Sequence, residues 1–350
     1  MIRPRTLASP PRAFLVDDPR FDLHSLGGPA GGYHPERPQR LLAARAATGT
    51  SGVQWTSVPA REATLEELSL VHSARFVDSL EELRGRRTYL DADTYVSPDS
   101  VAAARLAAGA VVDMVDRMID GPEGRAVALL RPPGHHARPD QAMGFCLLNS
   151  VAVAAAHARA RGLSRVLVVD WDVHHGNGTQ EMFWRTPGVL YASTHQYPFY
   201  PGTGDASEDG EAEGRGFTVN VPLTAGGGDD VIRGAFERVL LPVAREYAPE
   251  LVLVSAGFDA SERDPLAGMK LSTAAFGWMA RALADVADET ASGKIALILE
   301  GGYDLVALES GLGAAIAGCV GGASFELPAD PDHPDVARAA RAAARSWRVT

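Results

Sequence analysis

Asp170-Trp171-Asp172-Val173-His174-His175 follows directly on the apolar run Val166-Leu167-Val168-Val169. A short β-branched run closed by acids and imidazoles predicts a buried strand that delivers polar side chains at its carboxyl end. Residues two apart on extended backbone point the same way, so Asp170, Asp172 and His174 can converge. Two carboxylates and one imidazole suit a Zn2+ ion with an open coordination position. Taken alone, an Asp-x-Asp pair is more simply a capped strand end with solvated acids. The rest of the chain has to decide.

Outward from this run, strand and helix patterns alternate. Strands are predicted over 125–130, 166–169, 189–193, 218–221, 251–254 and 295–299, and helices over 148–160, 229–247, 272–289 and 304–317. Such alternation predicts an α/β fold with a mostly parallel central sheet and helices on both faces. In these sheets ligands bind beyond the carboxyl ends of the strands. The chemistry-bearing residues fall there: His135 and His136, Asp172 and His174, Asp259, and Tyr303. Four strand ends carrying reactive side chains turn the opening run into a strong candidate site.

The N-terminal stretch to about residue 38 reads as mostly loop, and 202–216, rich in Gly, Glu and Asp, reads as a surface loop with solvated acids. Beyond Ala323 a Pro/Asp-rich turn precedes a short Arg/Ala helix expected to pack on the outside. Neither a repeat nor a linker interrupts the chain, which predicts one domain over 1–350, with a core of about 20–320 and a C-terminal extension of about 323–350.

Composition narrows the class. The chain has 350 residues, 46% of them hydrophobic and 22% charged, which is ordinary for a globular protein. A net charge of −11 with no basic stripe argues against a nucleic-acid surface. Cys146 and Cys319 are the only cysteines, too few for a disulfide framework, and a reducing cytoplasm is expected. Met1 to Pro11 has no apolar core of a signal peptide, and no apolar run approaches a membrane span.

Three further motifs carry chemistry. Arg131-Pro132-Pro133-Gly134-His135-His136 sets two imidazoles on a stiff turn, suited to general acid–base work, although such a pair equally suits loop hydrogen bonding. Asp259, after Ser255-Ala256-Gly257-Phe258, is the natural third ligand, although an Asp after a strand is usually a helix cap. Glu300-Gly301-Gly302-Tyr303 places a phenol on a glycine turn, where it can donate to a developing oxyanion; alone it would more often be a packing tyrosine.

Together these residues resemble the zinc-dependent histone deacetylases and acetylpolyamine amidohydrolases, which have the arginase/deacetylase fold. The resemblance covers roughly residues 20–320. It rests on His34-Pro35-Glu36-Arg37-Pro38, Asp91-Ala92-Asp93-Thr94-Tyr95-Val96-Ser97-Pro98, Arg131 to His136, Gly144-Phe145-Cys146, Asp170 to Gly178, Tyr200-Pro201-Gly202-Thr203-Gly204, Ser255 to Asp259 and Glu300 to Tyr303. The stretch from Asp170 to Gln180 resembles the class II branch.

The resemblance implies that Asp172, His174 and Asp259 bind one zinc ion, that His136 is the general base, and that His135 is its electrostatic and proton-handling partner. Tyr303 would steady the oxyanion, and Asp170 would orient His135. Asn177 stands where class I members have an Asp behind the second histidine, and a neutral amide leaves His136 less basic. Arginases hold two metals and need an acid at the position of Gly176, so a second catalytic metal is not expected. Family members also bind K+, here through carbonyls near Asp170, Asp172, His174, Ser193 and Thr194, with a second site around Phe183, Thr186, Val189 and Phe217.

For the substrate, Phe145 and Tyr200 match the aromatic walls of an acyl-lysine tunnel, which Gly144 and Gly301 would border. Either ring suits ordinary core packing equally well without the resemblance. Asp93 matches a rim acid that grips substrate backbone amides. Leu266 occupies a gatekeeper position where polyamine-selective eukaryotic members carry an acid, and an apolar residue there leans toward acyl-lysine. The expected substrate is an acyl-lysine protein or peptide, or a small acetylated amine; the alternatives are an acetylpolyamine deacetylase and a catalytically weak acyl-lysine-binding module. An intact Tyr303 argues against the last. Fe2+ in place of Zn2+ and a homo-oligomer both stay open.

Overall fold

Eight parallel strands build the centre of the protein, in a computed structural model that describes residues 10–27 and 34–349. The signal-peptide reading of Met1 to Pro11 lies largely outside those residues. The strands are β1 (Arg12–Val16), β2 (Gln54–Ser57), then, after a short antiparallel pair β3 (Thr88–Tyr89) and β4 (Tyr95–Val96), β5 (Arg125–Ala128), β6 (Val166–Asp170), β7 (Val189–Gln196), β8 (Thr218–Leu223), β9 (Leu251–Ala256) and β10 (Ile295–Leu299). The main sheet runs β2-β1-β5-β10-β9-β6-β7-β8, every neighbouring pair parallel. Every residue of β6 through β10 is buried, so both faces of the sheet are covered there.

The covering helices are α1 (Gln39–Thr50), α2 (Leu65–Leu68), α3 (Ala74–Glu81), α4 (Ser100–Asp120), α5 (Ser150–Ala160), α6 (Asn177–Phe183), α7 (Asp229–Ala235), α8 (Leu241–Tyr247), α9 (Thr273–Thr290), α10 (Leu305–Cys319) and α11 (Pro334–Ala343). α4 and α5 pack together, α4 against β1 and β5 and α5 against β6 and β9. α9 lies on β9 and β10 and also packs on α10, which meets α1. Local chemistry sets several helix starts: Asn149 caps α5 by accepting from the Ala152 amide at 3.0 Å, and Asp304 caps α10 through Ala307 at 2.8 Å.

Three expectations need correction. Most of the described residues before 38 do lie in loops, but the stretch also holds the unanticipated β1, which lies inside the sheet between β2 and β5 and buries Ala13, Phe14 and Val16. Its apolar run is only four residues long, and the flanking Pro10, Pro11, Asp17 and Asp18 obscure it. The single helix expected over 229–247 is α7 and α8 joined by a π-helical turn, Phe236–Leu240. Pro242 has no amide proton for a helical bond, which is where such a widened turn serves. Residues 202–216 do form a loop, apart from one 3-10 turn at Ala212–Gly214, but not all its acids are solvated. Glu208 accepts from the Gly204 and Asp205 amides, each at 3.0 Å, and from Gln180 Nε2 at 2.6 Å.

The C-terminal helix α11 packs on β8, as expected for an outer element. No described helix is long and apolar enough to cross a membrane.

Candidate active site

Five contiguous strands, β5, β10, β9, β6 and β7, send their carboxyl ends or following turns to one place. In the register Asp170 lies opposite Ser193 of β7 and Ser255 of β9. Asp172 and His174 lie just beyond β6 and Asp259 just beyond β9. One ligand atom from each lies within 4.8 Å of the other two, in a group able to hold a metal ion. His174 Nδ1 is 3.1 Å from Asp172 Oδ1 and 3.2 Å from Asp259 Oδ2.

The backbone holds these acids. Gly301 N–H donates to Asp172 Oδ2 at 2.8 Å, and Val173 N–H donates to Asp259 Oδ1 at 2.9 Å. Asp259 Oδ2 is buried with no hydrogen-bond partner. An orphaned carboxylate oxygen in a buried cluster of two acids and one imidazole fits a bound cation. The electrostatics point the same way. Burial, and then the neighbouring Asp172, push the Asp259 carboxyl up to about 7. Burial opposes charge on His174, but the carboxylates of Asp172 and Asp259 beside it win and push it up to about 10. The acid pair thus calls for positive charge between its members.

His135 and His136 stand beside this cluster with ring centroids 4.0 Å apart. His135 Nδ1 pairs with Asp170 Oδ2 at 3.0 Å, and His136 Nδ1 with Asn177 Oδ1 at 2.8 Å. These partners split the two rings. Burial lowers the basicity of His135, but Asp170 and Asp172 outweigh it and hold the ring well above the usual histidine range. Burial, followed by the charges of His135 and His174, holds His136 well below that range. The surroundings thus favour the charged form of His135 and the neutral form of His136.

Glycine is required where the acids crowd the backbone. A Cβ at Gly176 would lie 2.1 Å from Asp170 Oδ2, and one at Gly301 would lie 2.2 Å from Asp259 Oδ2. An acidic side chain at position 176 is therefore excluded by space as well as by sequence. Gly144 has φ +56°, and a Cβ there would meet His136 Cδ2 at 2.5 Å. Its neighbour Phe145 also adopts a left-handed conformation, φ 68°, a strained choice for an aromatic residue.

A cavity of about 560 Å³ opens onto this centre and is lined by Asp93, His136, Gly144, Phe145, His174, Tyr200, Leu266 and Tyr303, all singled out in the sequence. Leu26, His34, Pro35 and Tyr89 join them and were not singled out as substrate contacts. The Tyr200 ring stands edge-on to His136 at 5.1 Å, and Phe145 edge-on to Tyr303 at 5.8 Å. Phe199, also unanticipated, stacks on His174 at 5.4 Å. The Tyr303 phenol is held well above its ordinary value by burial and then by Asp259, so it remains a donor.

A buried ionic group lies beneath Tyr303, of which the sequence reading quoted Glu36 and Arg131 without using them and did not single out Arg40. Glu36 accepts from Arg131 Nε at 2.5 Å and Nη2 at 2.6 Å, and from Arg40 Nη1 at 3.2 Å, with all three side chains fully buried. Arg40 also donates to the Gly302 carbonyl at 2.7 Å and lies 5.0 Å over the Tyr303 ring. The paired spacing of Glu36 and Arg40, one helical turn apart, was a signal for part of it.

The carbonyls proposed for K+ are spread over two regions. Ser193 Oγ is engaged with His195 Nδ1 at 2.8 Å. Near the second set, the Phe217 carbonyl accepts from Tyr191 at 3.0 Å and that of Phe183 from Thr186 at 3.2 Å.

Comparison with known proteins agrees with this geometry. The family model described as the histone deacetylase domain matches residues 34–319. Histone deacetylase 15 of Arabidopsis thaliana is 44% identical over 307 residues, covering 85% of this chain and 55% of that protein. A histone deacetylase-like amidohydrolase of Pseudomonas aeruginosa is 41% identical over 295 residues, 80% of this chain and 77% of the other. The polyamine deacetylase HDAC10 of Homo sapiens is 42% identical over 311 residues, 84% of this chain and 44% of the other. The crystal structure of an HDA15 HD domain superposes with a TM-score of 0.88 at 41% identity, covering 97% of this chain and 96% of that one. The chain thus spans little more than half the length of its plant relative, and nearly all of a solved deacetylase domain. The fold is that of the arginase/deacetylase type, and the chain belongs to the histone deacetylase family.

Proposed function

We propose that the chain is a zinc-dependent amidohydrolase that removes acetyl or related acyl groups from lysine side chains. The observation that carries this reading is that His174 of the Asp172–His174–Asp259 cluster lines one cavity together with His136 and Tyr303. A single zinc ion would be held by those three residues, where it supplies Lewis acidity that polarises the amide carbonyl and makes a water molecule acidic near neutral pH.

The chain's own groups complete the reaction. Phe145 and Tyr200 clasp the methylene chain, and Asp93 receives substrate amides at the rim. Asn177 Oδ1 accepts a hydrogen bond from His136 Nδ1–H, which leaves Nε2 as the free base. His136 Nε2 removes a proton from water as the oxygen attacks the carbonyl carbon. Tyr303 donates to the oxyanion that forms. The C–N bond then breaks, His136 returns the proton to the leaving amine, and the acid formed passes its own proton to that amine, so a carboxylate and an ammonium result. His135, held as a cation by Asp170, counters the negative charge nearby.

The same reading assigns one deacetylase domain to the whole chain, with a core over about 20–320 and an extension over about 323–350. It includes structural K+ at the carbonyls named above and a cytoplasmic setting, which suits two buried free cysteines. A second substrate class, acetylated polyamines, is favoured by the likeness to a relative named a polyamine deacetylase. Apolar Leu266 at the cavity wall weighs against it.

The test is turnover by the zinc-loaded protein of an acetyl-lysine peptide and of an acetylated polyamine, with Tyr303→Phe as control. The peptide should be the better substrate, and the control should lose about 10²–10³-fold in kcat. Binding without turnover would overturn the enzyme reading. Equal or better turnover of the polyamine would overturn the substrate preference.

A further inference from the structure

Glu300 is 1% exposed and is used by none of the steps above. Its carboxylate leaves the end of β10 and crosses to the turn that follows the neighbouring strand β5. There Oε2 accepts from the Gly134 amide at 2.6 Å and from the His135 amide at 3.2 Å. Oε1 accepts from Ser255 Oγ, at the end of β9, at 3.2 Å. One side chain therefore ties together the ends of three strands.

The turn it grips is boxed in on its other sides. A Cβ at Gly134 would meet Ser150 N at 2.8 Å and the Leu148 carbonyl at 3.0 Å, so the turn already touches the start of α5. The His135 carbonyl accepts from the Gly178 and Thr179 amides of α6 at 3.1 and 3.2 Å. On the side toward β10 it is Glu300 that holds the turn. Glu300 also lies three residues before Tyr303, so a single segment carries both the clamp and the oxyanion donor.

We propose that Glu300 is a positioning residue that fixes the His135–His136 turn relative to Tyr303 by reaching its two backbone amides. This rests on the deacetylase reading for its consequence, but the clamp itself does not. An acid is a costly choice at this place. Burial, helped by Asp170 and Asp172, pushes the Glu300 carboxyl up to about 7 even though His135 and the Gly134 amide favour its charge, and burying such a charge costs several kcal/mol. A side chain needed only to fill space would be apolar. What a carboxyl offers is one oxygen able to accept from two adjacent amides.

Two mild substitutions separate reach from charge. Glu300→Asp keeps the charge but withdraws the carboxylate by one methylene, so it no longer spans to Gly134. Glu300→Gln loses the charge but keeps an acceptor oxygen at the same reach. In the zinc-loaded full chain, Glu300→Asp should lower kcat by about tenfold or more, since small misplacements of a catalytic group are costly. Glu300→Gln should stay within about threefold of the parent, and KM and zinc content should hold in both. A second readout needs no activity. The Gly134 amide proton, in a short charge-assisted bond, should resonate far downfield in protein labelled with 15N-glycine, and should move upfield in Glu300→Asp.

Full activity in Glu300→Asp, a Gln variant weaker than the Asp variant, or loss of zinc in step with kcat would each overturn the proposal. If the parent protein hydrolyses no acylated amine, the functional reading falls, and the Gly134 resonance alone decides the clamp.

Discussion

Replacing Asn177 by aspartate puts a negative charge where the structure has a neutral amide, 2.8 Å from His136 Nδ1. In the parent protein burial, and then the charge of His135, hold His136 well below the usual histidine range, which favours its free base. A carboxylate stabilises the imidazolium instead. With charge centres about 4 Å apart and an effective dielectric of about 20, the attraction is about 4 kcal/mol. At about 1.4 kcal/mol per pKa unit this caps the rise near 3 units, and the cost of burying the new acid brings the expectation to about 1–3 units. The sign follows directly. His136 works unprotonated, so raising its pKa removes active enzyme at low pH and moves the acid limb of the profile upward. The assay is kcat/KM for an acetyl-lysine peptide against pH, for the parent and for Asn177→Asp at equal zinc content. An acid limb that stays within about 0.3 unit, or moves to lower pH, would refute the assignment of His136 as the base controlled by Asn177.

Other perturbations give equally definite outcomes. Gly176→Ala drives a methyl into Asp170 Oδ2, 2.1 Å from the ideal Cβ, and should lower stability by about 1–3 kcal/mol in urea unfolding while disturbing His135. Arg131→Met leaves the buried Glu36 with Arg40, His24 and the Tyr95 hydroxyl as neighbours, and should cost about 3–5 kcal/mol, read from the same unfolding curves. Leu266→Glu adds a charge partner for an ammonium at the cavity wall. It should shift the ratio of kcat/KM values toward an acetylated polyamine by about tenfold, and an unchanged ratio would remove Leu266 from the specificity argument.

Much of the site was legible because its parts are local. An apolar strand followed by Asp170, Asp172 and His174 carries its own meaning, since a strand's geometry fixes where alternate side chains point. Asp259, His135, His136 and Tyr303 were legible through the rule that parallel sheets present their chemistry at one edge. What stayed hidden depends on partners far apart in the chain. Glu36 meets Arg131 across 95 positions, Arg40 meets Gly302 across 262, and Glu300 meets Gly134 across 166. No local pattern marks a buried carboxylate whose partners are backbone amides on another strand. β1 was hidden for a different reason: in four apolar residues between prolines and aspartates, too little periodicity survives to be read. The π turn before Pro242 was missed because helical spacing persists on both sides of it.

The account makes one zinc ion, held by Asp172, His174 and Asp259, the centre of an amide-hydrolysing site that lacks, at Gly176, the acid a second metal would need. The most direct test is to strip the protein with a chelator, add back Zn2+ stepwise, and measure acetate release from an acetyl-lysine peptide. Activity should be absent at the start, rise linearly, and level off at about one equivalent per chain. Turnover that survives complete metal removal, or that needs two equivalents, would contradict it.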